Sequence, residues 1–214
     1  MISRLQTVVS LGVLVAIAGA ASAAVYEKPL WLNDDNGAFS YFDQLIVDDF
    51  KLAGDATVTN ASWYGNFVGA GDPFSGGESF QFTVRFFNDD GAGQASTSAF
   101  FTQNVAATLG TTGLSQEGDA IYSFFANFDG VSLNAETKYY FSVEEIDPNT
   151  AKPSFRWNNG IIDGDDDFIN YGVLGQGWSQ DTNRSAAAFA LNVPAPASAC
   201  AVLAGLLAVG RRRR

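Results

Sequence analysis

The chain has 214 residues, with 12 basic and 23 acidic side chains, 18 phenylalanines, no histidine and a single cysteine. Without histidine, Ser-His-Asp and Cys-His nucleophiles and His-based zinc sites are excluded, and no glycine-rich phosphate loop is present. A net charge of −11 disfavours nucleic acid and anionic lipid surfaces as partners.

In chain order, residues 1–23 have the three zones of a secretory signal. Arg4 supplies positive charge, residues 8–21 an apolar run, and Ala21-Ser22-Ala23 a small-residue cleavage site, so an apolar signal helix removed after Ala23 is expected. The body that follows, residues 24–192, has the size of one domain. With Arg4 and the four terminal arginines set aside, it holds 7 basic against 23 acidic residues, a net charge of −16. Such a surface is strongly solvated and binds divalent cations weakly. Cys200 lies beyond the body, which therefore has no disulfide and depends on packing.

Along the body the hydrophobic period is two. Phe80, Phe82, Val84 and Phe86 alternate with Gln81, Thr83 and Arg85, which marks a strand with one buried face. Tyr122, Phe124, Ala126 and Phe128 repeat the pattern, as do Tyr139, Phe141 and Val143, and Ala187, Phe189 and Leu191. Further strands are expected over 41–47, 50–52, 57–64, 98–108, 154–157 and 168–173. Turn chemistry separates them, including Asn88-Asp89-Asp90-Gly91, Asp129-Gly130 and Asn158-Asn159-Gly160. Eight to ten short strands argue for an all-β fold, an antiparallel β-sandwich of jelly-roll type.

Three groups of residues carry possible chemistry. Carboxylate catalysis, as in a glycoside hydrolase, needs two acids facing each other. The adjacent pairs Asp48-Asp49 and Glu144-Glu145 point to opposite faces of a strand and cannot converge without a bulge, so no enzyme is expected. Second, Asp163, Asp165 and Asp167 alternate around Gly164, a spacing that either wraps a calcium ion or remains a solvated acidic loop; Asp48-Asp49 is a weaker second candidate. Third, Trp157 beside Asn158 and Asn159, and Trp178 beside Gln176 and Gln180, combine a stacking ring with amides that can read sugar hydroxyls. Trp63, at a strand end, is read as core.

The chain closes on Val193-Pro194-Ala195-Pro196, an apolar run over 197–210 and the cluster Arg211, Arg212, Arg213 and Arg214. The apolar run is shorter than the roughly 20 residues of a spanning helix, but 193–195 and snorkelling arginines bring it near that length, with the arginines on the cytoplasmic side. This three-part arrangement resembles the PEP-CTERM sorting signal of exported proteins of diderm bacteria, with Ala195 where glutamate is usual. The resemblance implies an exosortase-like processing enzyme as a partner, secretion, passage through a membrane-anchored stage and residence at the cell surface or in the extracellular matrix near exopolysaccharide. Within the body, Asp48-Asp49-Phe50, Trp63-Tyr64-Gly65 and the strand from Phe80 to Asp90 resemble a recurrent body of proteins carrying that tag, which implies a sandwich and carries no assigned activity.

The expectation is thus a signal segment (1–23), a β-sandwich (24–192) and a sorting segment (193–214) with an apolar helix at each end. The expected function is a non-catalytic, displayed protein. A carbohydrate-binding module with a defined sugar site is the alternative, and a carboxylate-dependent glycoside hydrolase the more distant one.

Overall fold

The computed structural model describes residues 22–32, 37–40, 44–68, 74, 76–146, 155–161, 170–180 and 186–194, and every regular element among them is a β-strand. The first six are β1 (Ser22–Lys28), β2 (Ala38–Phe39), β3 (Leu45–Phe50), β4 (Ala56–Phe67), β5 (Ser79–Asn88) and β6 (Phe101–Gln116). The rest are β7 (Asp119–Leu133), β8 (Tyr139–Glu145), β9 (Phe155–Trp157), β10 (Asn170–Val173), β11 (Gly177–Gln180) and β12 (Phe189–Pro194). They form one antiparallel sheet in the order β1-β12-β4-β7-β6-β5-β8-β3-β10-β11, with β9 paired to β4 and β2 to β9. The expected all-β, antiparallel body is therefore present. Residues 8–21 and 197–210 lie outside the described residues. Among the described residues no helix is long and apolar enough to cross a membrane.

This sheet is folded back on itself. Trp63 on β4 and Phe82 on β5 are separated in the sheet by β7 and β6, roughly 14 Å along a flat surface at about 4.8 Å per strand. Their ring centroids are nevertheless 5.0 Å apart. Phe189 on β12 and Phe141 on β8 lie further apart in strand order and still approach to 5.1 Å. Such contacts bring side chains of β12 and β4 against those of β5 and β8 within one core.

Aromatic residues fill the space between the facing strands. All fourteen residues of the four alternating runs, from Phe80 to Leu191, belong to one buried cluster, together with Trp63, Phe67, Phe155 and Trp157. Removing a phenylalanine ring from water contributes about 1.5–3 kcal/mol, so dense aromatic filling replaces the disulfides that the body lacks. Gly65 permits the closest part of this packing. A Cβ there would collide with the ring of Phe155 and the carbonyl oxygen of Arg156.

Two turns fall differently from the sequence expectation. Asp129-Gly130, read as a turn, lies inside β7, where the β4 register shifts between Val58 and Asn60 while β7 passes from Val131 to Asn127. The extra residues form a bulge, and the Asp129 N–H is taken up by Gln103 Oε1 at 2.8 Å. The hairpin joining β6 to β7 instead turns at Glu117-Gly118, whose φ values of 51° and 90° are both positive. That is the signature of the primed two-residue turns that suit twisted strands.

Candidate functional site

Site residues proposed from the sequence fall into different surroundings. Trp157 is completely buried, with its indole N–H donated to the Ala188 carbonyl at 2.9 Å and its ring against Phe141 and Phe189. Its role as a sugar platform is thereby overturned, because β9 turns this side chain inward against the bent sheet and no ring face reaches solvent. Asn158 and Asn159, its amide neighbours, are buried as well, and Asn158 Nδ2 donates to Gln116 Oε1 at 3.3 Å. Trp63 is core, as expected. Asp163, Asp165 and Asp167 lie outside the described residues, as do Ala21, Ala195, Pro196 and Arg211, Arg212, Arg213 and Arg214. Among the described residues, no group of three or more acidic or cysteine side chains is placed to hold a metal ion.

Asp48 and Asp49 are buried and alternate as the strand period requires, and their carboxylates converge only on a shared lysine. In register Asp48 faces the core beside Phe141, and Asp49 sits beside Tyr140. Convergence comes from Lys28 at the end of β1. Its Nζ lies 3.1 Å from Asp48 Oδ2 and 3.6 Å from Asp49 Oδ1, and donates to the Asp49 carbonyl at 2.9 Å. Asp48 also accepts the backbone N–H of Ala187 at 2.9 Å and that of Asp49 at 3.1 Å. Lys138 Nζ meets Asp49 Oδ2 at 2.7 Å on the other side. The cation at this acidic pair is thus lysine rather than calcium. Burial pushes the Asp48 carboxyl up to about 6, opposed by the neighbouring Lys28 and reinforced by Asp49.

Sequence reasoning missed Lys28, which is 1 % exposed. The signal was present in two places: Lys28 follows core-facing Tyr26 at a spacing of two, and Leu45-Ile46-Val47-Asp48-Asp49-Phe50 sets two carboxylates in an apolar run. The pair Glu144-Glu145 obeys the alternation rule, and Glu144 Oε2 is bound to Arg85 Nη1 at 2.7 Å.

Trp178, by contrast, is half-buried, on the outer surface of the sheet. There Val47, Phe87, Ala95 and Tyr140 form a small second cluster, and Trp178 packs against it. Segment 88–100 holds this cluster through turns built on Asp89 and Asp90, whose Oδ1 atoms accept the N–H groups of Gly91 and Ala92, each at 2.7 Å. Tyr140 donates its hydroxyl to Asp89 Oδ2 at 3.3 Å, and burial beside that carboxylate raises the phenol above its ordinary range.

The two processing junctions expected at the ends of the body occupy one ladder. Val193 pairs with Ala23, and Pro194 with Ser22, at the same end of the β1–β12 pairing. No protein family, curated protein or solved structure matches this chain.

Proposed function

We propose that this is a non-catalytic exported protein, displayed at the cell surface or in the extracellular matrix through its PEP-CTERM-like segment 193–214 and associated with extracellular polysaccharide. One observation carries the reading. Ala24, the first residue left by cleavage after Ala23, pairs with Asn192, the last residue before the sorting segment, on the β1–β12 pair. Both ends of the mature body therefore lie side by side in one ladder, which suits attachment through a single C-terminal segment. The facing aromatic contacts between β4 and β5 and between β12 and β8 support a sandwich of jelly-roll type as the body. The non-catalytic reading draws support from the carboxylates themselves: Asp48 and Asp49 are held by Lys28 and Lys138, and Glu144 by Arg85.

Cell fractionation tests the proposal. Truncation after Pro194 leaves β12 whole and removes the apolar run and the arginines. The full chain is expected in the envelope or matrix fraction and the truncated chain, folded by circular dichroism, in the medium. A folded truncated chain that stays in the envelope fraction contradicts display through the tag.

A further inference from the structure

The β10–β11 hairpin extends the sheet beyond β3, and its ladder sets Gly172 opposite Trp178 and Asn170 opposite Gln180. Gly172 gives the indole its place. A Cβ there would press on the Gly177 carbonyl oxygen and stand 3.1 Å from Cε3 of Trp178. The indole N–H donates to the Ser96 carbonyl at 3.2 Å, and Phe87 meets the ring at 86° with centroids 5.5 Å apart. Strand, carbonyl and phenyl ring therefore fix the orientation of Trp178 while leaving it partly open to solvent. Gln180, exposed and two residues along the strand, shares its face.

We propose that Trp178 is the stacking platform of a sugar-binding site for a neutral pyranose unit of a polysaccharide, with the Gln180 amide hydrogen-bonded to its hydroxyls. A pyranose presents a face of C–H groups that packs on an indole, and an orientation fixed beforehand avoids the entropy of ordering the ring on binding. Charge selects a neutral sugar over a uronic acid, since the body carries −16 and Asp89 and Asp90 lie in the same segment as Ser96. The site rests on the reading that this body meets polysaccharide, and gives that contact a residue.

Affinity electrophoresis of the full-length protein in mild detergent tests it, in native gels containing hydroxyethylcellulose, dextran, galactomannan or alginate. At least one neutral polymer is expected to retard the protein. Trp178→Ala should weaken that retardation about five-fold or more, Trp178→Tyr should retain part of it, and Gln180→Ala should weaken it about two-fold with an unchanged melting temperature. If Trp178→Ala does not fold, the tyrosine and Gln180 variants carry the test. Quenching of tryptophan fluorescence by the retarding polymer in the wild type, lost in Trp178→Tyr and needing about twice the polymer in Gln180→Ala, is the second readout. Equal retardation of wild type and folded variants overturns the site and leaves polysaccharide association standing. Retardation by alginate alone, or by none of the four, overturns it as well. Fractionation of the truncated chain decides display separately from all of these outcomes.

Discussion

A fully buried lysine is expensive unless its charge is met, and Lys28 meets two carboxylates and a carbonyl. Replacing it with methionine preserves much of the volume and strands Asp48, while Lys138 still holds Asp49, so Lys28→Met should lose about 3–5 kcal/mol of stability at pH 7 in denaturant melts. The pH dependence follows from Asp48. Its folded value of about 6 stands above its ordinary 3.8, so its contribution is fully present below 3.8 and is lost as pH rises through about 6. Without Lys28 the carboxyl rises further, and the variant should recover part of its deficit between pH 7 and pH 5. A deficit that does not shrink on acidification would show that Asp48 is not the stranded group. At this scale the sequence was only partly legible. Trp157 and Trp178 sit in similar company in the sequence, beside amides, yet one strand faces the core and the other the outer surface. Only the path of the strands separates a buried ring from a half-exposed one.

Strands were the most legible level, because alternation is a local property and large side chains must go to one face. Each of the four alternating runs lies in the core cluster. Turns were less so. Asp129-Gly130 has turn chemistry, but pairing with β4 on one side turns it into a bulge within β7. The true turn, Glu117-Gly118, uses a residue that seldom adopts positive φ, and so carried no signal. Glu117→Asn should therefore stabilise the hairpin by about 0.5 kcal/mol, and Glu117→Val, whose branched side chain fits that φ poorly, should destabilise it. Thermal melts check both. An asparagine variant no more stable than the parent would contradict the turn assignment.

Across the whole molecule, the all-β composition could be read from period and turns, while which strands meet across the core could not. Contacts such as Trp63 with Phe82 or Phe141 with Phe189 join strands distant in the sheet, and no local pattern encodes them. The pairing of the two junctions is of the same kind, since Ser22 and Pro194 meet only because β12 runs back along β1. The acidic loop at Asp163, Asp165 and Asp167 is a question of local spacing alone, and a calcium-dependent rise in melting temperature remains its expected sign if an ion is bound. The central claim is that a folded body is delivered by an address that works as a linear segment. Appending residues 193–214 to an unrelated exported reporter, in a diderm host with an exosortase-like enzyme, tests that claim most directly. The account predicts a reporter retained at the cell surface and, by mass spectrometry, lacking the arginine cluster; a reporter released to the medium with its tail intact would contradict it.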